Sequence, residues 1–183
     1  WYKKTKDNLD ISNVRKILFY KYQIKIYRKL IKLFGKDGYY EGSWFGNDTL
    51  WRTILDLNKI LLYSDKKGDV QKYRNKKKIL VLTDAVVSGE GEAPLSPISK
   101  NSGYLLMSFN SALNDIIVSK LMGFDFNKIP SVRNAVTTIE QPLIDFPLKD
   151  MIIKKNGKEI LFNELEELDF IPTFGWKGFI ENE

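Results

Sequence analysis

The stretch Ile79-Leu80-Val81-Leu82-Thr83-Asp84 decides how the chain is read. Four apolar residues in unbroken succession, two of them β-branched, describe a short buried strand. The polar pair at its end marks where that strand emerges. A similar run, Tyr104-Leu105-Leu106-Met107-Ser108, follows after a Gly/Pro/Ser-rich interval from about Ser88 to Gly103. The interval reads as a long loop, and unstructured loops of that length inside a compact domain are usually functional.

Helical patterns flank these runs. Leu50, Ile54, Leu57 and Leu61 recur on one face after an N-cap at Asn47-Asp48-Thr49, and predict a helix to about Tyr63. Leu113, Ile116, Ile117 and Leu121 predict another, stopped by Gly123. Ser131 to Thr138 fits a short helix behind Pro130. Upstream, Ile17, Ile24, Ile31 and Tyr20, Tyr27, Phe34 recur every seven residues, which gives an amphipathic helix over 12–34. Near the end, Asn156-Gly157 separates Met151–Lys155 from Lys158–Phe162, a strong hairpin signal because both turn positions favour positive φ. The aromatic, glycine-rich segment 174–179 is expected to pack back on the domain. The expected fold class is α/β: one domain over 1–183, with a mixed sheet flanked by helices and a C-terminal β-hairpin. A start at Trp1 in a basic stretch reads as the C-terminal part of a longer protein.

Composition narrows the chemistry. The chain has no cysteine and no histidine, which excludes thiolate chemistry, disulfides, iron–sulfur ligation and imidazole bases in this segment. Carboxylates, lysine, tyrosine, hydroxyls and backbone amides are left. No run of 18 apolar residues exists, so no membrane span is expected; the chain reads as soluble, with the compartment left open and the cytoplasm favoured. The net charge of +6 is concentrated between Lys3 and Lys32 and again at Lys72, Arg74, Lys76, Lys77 and Lys78. Such clusters are most often solvated faces, and otherwise attract an acidic partner or nucleic acid. Nucleic acid ranks second because the aromatics sit at core-like helical spacing rather than on a stacking platform.

In α/β sheets, ligands bind outside the carboxyl ends of strands. That places a candidate site at Asp84 and Glu90 as base or ligand, with the backbone of Gly89 and Gly91 approaching a phosphate. Ser108 and Asn110 stand at the second strand end. Asp84, Glu90 and Asp115 supply oxygen ligands for a divalent cation; equally, the glycines make turns and the carboxylates face water. A second candidate is Asn47, Asp48 and Arg52 at a helix N-terminus, where amides and a guanidinium favour an anion, or where a helix cap and two core aromatics suffice. Neither a Walker motif nor a dinucleotide fingerprint is present.

Asp84, Gly89-Glu90-Gly91-Glu92-Ala93-Pro94, the strand ending at Ser108, Asp115 and Gly123-Phe124-Asp125 through Ile129-Pro130 together resemble the domain-of-unknown-function family 362 over roughly residues 79–130. Gly46-Asn47-Asp48-Thr49 and Gly175-Trp176 look like an extended branch of it. The resemblance implies iron–sulfur association for some members, which a cysteine-free chain does not share. This sequence departs from the family at Ala93, where glycine is common, and at Asn110, where aspartate is common. The second departure removes a charged ligand. The functional expectation is an enzyme domain with a carboxylate-lined pocket for a divalent metal or small anionic ligand. Its alternative is a non-enzymatic module engaging an acidic partner or nucleic acid through the basic patches.

Overall fold

The computed structural model describes residues 43–73, 77–92 and 94–182, together with helical backbone at Tyr22, Gln23, Lys25, Ile26 and Lys29. Most of the 12–34 helix, and Arg74 and Lys76 of the 72–78 basic cluster, therefore lie outside the described residues. Residues 1–41 and 42–183 form separate compact units, and everything below concerns the second.

Helices combine with antiparallel strands in this unit. Helix α1 spans Leu50–Tyr63, strand β1 Val81–Glu92, strand β2 Ser96–Ser108, helix α2 Ser111–Leu121 and helix α3 Pro130–Thr137; strands β3 (Ile153–Lys155) and β4 (Lys158–Ile160) close the series. Among the described residues there are two two-stranded antiparallel ladders, β1-β2 and β3-β4. Asn156 and Gly157 have φ of 52° and 80°, so the C-terminal hairpin turns where expected.

Most of the interval read as a loop is strand, over 88–92 and 96–103. The β1-β2 ladder runs from Val81↔Ser108 to Glu92↔Ser96. Gly89 faces Ser99 there, and a Cβ at Gly89 would lie 2.8 Å from the Pro97 ring, so glycine permits the close approach. A C-terminal segment fastens the far end of the ribbon: Gly91 N–H donates to Ile171 O at 2.8 Å. This tertiary docking overrides the weak strand propensity of Gly, Ser and Pro.

Register shifts between Ala85 and Val87, where Ser102 and Gly103 of β2 stand opposite Val86. Gly103 takes the positive φ (72°) that this β-bulge requires. On β1 the inward residues are Val81, Thr83 and Ala85 before the bulge and Ser88 and Glu90 after it. The ribbon is thus half-buried on one face and open on the other, not covered on both.

The core gathers behind the inner face. Leu55, Leu62, Tyr63, Ala112, Ile116, Val132, Ala135, Leu143 and Ile144 form one cluster, and the Tyr63 hydroxyl donates to Pro142 O at 2.8 Å. Full burial of the cluster's leucine, isoleucine and valine side chains contributes about 1.5–3 kcal/mol each. Asn110 caps α2 by accepting from Ala112 N and Leu113 N. Gly123, with φ 78°, ends the helix as Phe124 N donates to Ser119 O at 2.9 Å.

Helix α1 differs from its sequence pattern. Leu50, Ile54, Leu57 and Leu61 are exposed, whereas Leu55 and Leu62 are buried. The helix carries two apolar stripes, and tertiary packing selected the other one. The aromatic tail packs as expected: Phe45 stacks on Phe179 at 4.5 Å and meets Trp176 edge-on at 6.0 Å. Gly175 lies against Ser43 O, where a side chain has no room.

Candidate functional site

A cleft of about 620 Å³ opens between the inner face of β2, helix α2 and the β3-β4 hairpin. Strand alternation and helix periodicity converge to build it. Every second residue of β2, from Ser102 through Tyr104 and Leu106 to Ser108, faces inward. Leu113, Ile117 and Leu121 come from α2 at spacings of four, and Ile153 and Lys155 share one face of β3.

The apolar wall ends in a polar cluster. Lys155 Nζ donates to Glu166 Oε1 at 2.8 Å and to the Tyr104 hydroxyl at 2.9 Å. Tyr104 in turn donates to Glu166, and the ammonium lies 5.3 Å from the Tyr104 ring centre. A cation, a phenol and a carboxylate are thereby held in mutual contact at the rim. Two of three ammonium hydrogens are committed, so Lys155 retains one donor for a ligand oxygen. Deeper in the cleft, buried Asn114 accepts from the Thr83 hydroxyl at 3.2 Å.

Of the residues expected from sequence, only Ser108 lines this cleft. Its hydroxyl donates to Asn110 O at 2.9 Å, while Asn110 donates from Nδ2 to Leu143 O at 2.8 Å and otherwise caps α2. Asn110 is therefore occupied as a cap and joint, not as a ligand.

The three carboxylates expected to share a metal lie on separate surfaces. Asp84 is on the open face of β1 and accepts from Val86 N at 3.1 Å. Glu90 is on the opposite face, because the bulge at Ala85/Val87 reverses the alternation between them. Glu90 accepts from Ile171 N at 3.1 Å and from Lys100 Nζ at 3.0 Å. The Ile171 amide, aided by the Lys100 ammonium, holds its carboxyl below the usual range against the opposing effect of burial. Asp115 stands on α2 beside Asn58, Ser111 and Ser131. Desolvation raises its pKa, against a hydrogen bond from Asn114 that lowers it. Among the described residues no group of three acidic side chains is placed to hold a metal ion.

Glu90 and its neighbour Glu92 fasten the C-terminal segment to the ribbon. Phe174 N donates to Glu92 Oε1 at 2.7 Å, and Lys100 donates to Asp169 O at 3.0 Å. Gly91 spends its amide on Ile171 rather than on a phosphate, and Gly89 answers the Pro97 ring.

The helix-start candidate is likewise satisfied internally. Asn47 Oδ1 accepts from Thr49 N and Leu50 N at 3.1 and 3.0 Å. Arg52 Nη2 sits 3.1 Å from both Asp48 carboxylate oxygens and lies over the Trp51 ring. That contact, with the Trp51 indole N–H, lowers the Asp48 pKa. In the 72–78 cluster, Lys77 donates to Leu61 O at 3.0 Å, a contact at the carboxyl end of α1.

Tyr104, Lys155 and Glu166 escaped the sequence reading. Alternation within β3 puts Lys155 on the face of Ile153, which is a local signal. Nothing local brings it to Tyr104, 51 residues away.

Compared with protein families, curated proteins and solved structures, the chain shows no significant match to any of them. Among the described residues no helix is long and apolar enough to cross a membrane.

Proposed function

We propose that this domain binds a small molecule with an apolar body and a carboxylate or carbonyl end. The body lies along Leu106, Leu113, Ile117 and Ile153, and the oxygen takes the remaining Lys155 donor. The observation that carries this reading is the Lys155–Tyr104–Glu166 cluster at the rim of a cleft that sets an apolar wall of Leu106, Leu113, Ile117 and Ile153 beside polar Ser102, Ser108 and Asn114. Clefts of this size with a few convergent polar groups are the usual form of small-molecule sites. The expected small anionic ligand is retained, but its site moves from the strand ends at Asp84 and Glu90 to this cleft. A divalent cation at Asp84, Glu90 and Asp115 has no support in their separate placement. The resemblance of residues 79–130 to family 362 fits a site beside β2 and assigns no reaction to it.

Titration with decanoate, followed by methyl NMR of the intact chain, tests the reading. Leucine and isoleucine methyls of the cleft should shift together. Lys155→Met should weaken binding about tenfold, or about 1.4 kcal/mol, with Asp84→Ala unaffected. Shifts confined to other surfaces, or equal affinity in Lys155→Met, would refute it.

A further inference from the structure

The open face of the β1-β2 ribbon is apolar. Leu80, Leu82, Leu105, Met107 and Phe109 are 58%, 63%, 65%, 67% and 75% exposed. Leu82 pairs with Met107 across the ladder, and Asp84 with Leu105, so these side chains share one surface. Together they form a run of exposed apolar side chains along one face, the kind of patch that marks an interaction site.

We propose that this face joins two copies of the chain, ribbon against ribbon, about a twofold axis near Leu82 and Met107. The inference does not rest on the ligand reading, since the cleft lies on the other face. Aligned packing of two such faces brings the sheets about 10 Å apart and interdigitates their side chains.

Charge favours a second copy as the occupant. Asp84 is the one acid among the alternate β1 positions of this face. Lys78, also exposed, continues the same alternation beyond Leu80. With the axis between them, Asp84 of each copy approaches Lys78 of the other at the rim, and neither charge enters the apolar centre. A face built for an acidic or basic partner would carry charges of one sign.

Sedimentation equilibrium of the full chain between about 1 and 100 μM, the weak end of the range that protein interfaces span, decides the matter. The wild-type chain should be dimeric at the upper end. Leu82→Lys/Met107→Lys should be monomeric, with far-UV circular dichroism and a cooperative melt retained. Leu105→Ala/Phe109→Ser provides a milder pair should the lysine variant unfold, and should weaken association at least tenfold. Ile139→Lys, at a position 91% exposed elsewhere, should leave the dimer intact. A monomeric wild type at 100 μM, with or without another segment covering Leu82 and Met107, would overturn the proposal. So would a dimer indifferent to both face variants.

Discussion

The two faces of the β1-β2 ribbon invert the usual arrangement. The inner face carries Thr83, Ser88, Glu90, Lys100, Ser102 and Tyr104, and these side chains are hydrogen-bonded to α2, to one another or to the C-terminal segments. The outer face carries Leu82, Leu105 and Met107, which are open. Buried polar groups cost free energy unless paired, and here pairing is what fastens the ribbon to the domain. The inner face also carries Val81, Ala85 and Leu106, so its attachment joins apolar packing to paired polar groups, whereas the outer row is open for the proposed association.

Substitution of adjacent residues gives the strongest test of that contrast. Leu106→Asp puts a carboxylate against the cleft wall and should cost about 3 kcal/mol, read from urea unfolding. Leu105→Asp, one residue away on the open face, should change monomer stability by less than about 0.5 kcal/mol. Equal losses would erase the distinction between the faces.

A smaller effect is expected at Glu90. Glu90→Gln removes the charge that accepts from Ile171 N and pairs with Lys100, and should cost about 1–3 kcal/mol at neutral pH. The folded carboxyl sits below its ordinary value. Its contribution is thus complete above the unfolded pKa and is lost as pH falls through the folded one. Wild type and variant should converge in stability on acidification. A gap that persists below that window would show that the carboxylate's charge is not what holds the tail.

The smallest effect is expected at Asp115, whose pKa is raised by desolvation. The ionised form is disfavoured in the folded chain, so Asp115→Asn should raise the melting temperature slightly at neutral pH. The gain should vanish once the wild-type residue is protonated. A lower melting temperature would mean that the carboxylate makes a contact of structural value.

Much of the architecture was legible in the residues. Asn156-Gly157 specifies its turn through two positive φ angles, Gly123 ends α2 for the same reason, and Pro130 opens α3. Such features depend on backbone conformations within a few residues. Misread parts depend on distant partners. The interval 88–103 has loop-like composition, yet Ile171, Phe174 and Asp169 fix it as strand. Helix α1 offers two stripes, and only packing against Ala112 and Val132 selects Leu55 and Leu62.

The candidate site divides in the same way. Sequence alone determined the available chemistry: without cysteine or histidine, any site must work through lysine, tyrosine, hydroxyl, amide or carboxylate. It also drew a strand ending at Ser108 and a helix after it, but set the site at Asp84 and Glu90. Tertiary structure decided which groups meet. The β-bulge after Ala85 sends Asp84 and Glu90 to opposite faces, because one shift of register reverses a period of two. Docking of the C-terminal hairpin brings Lys155 and Glu166 to Tyr104, a contact that no local periodicity encodes because it is fixed by how separate elements pack.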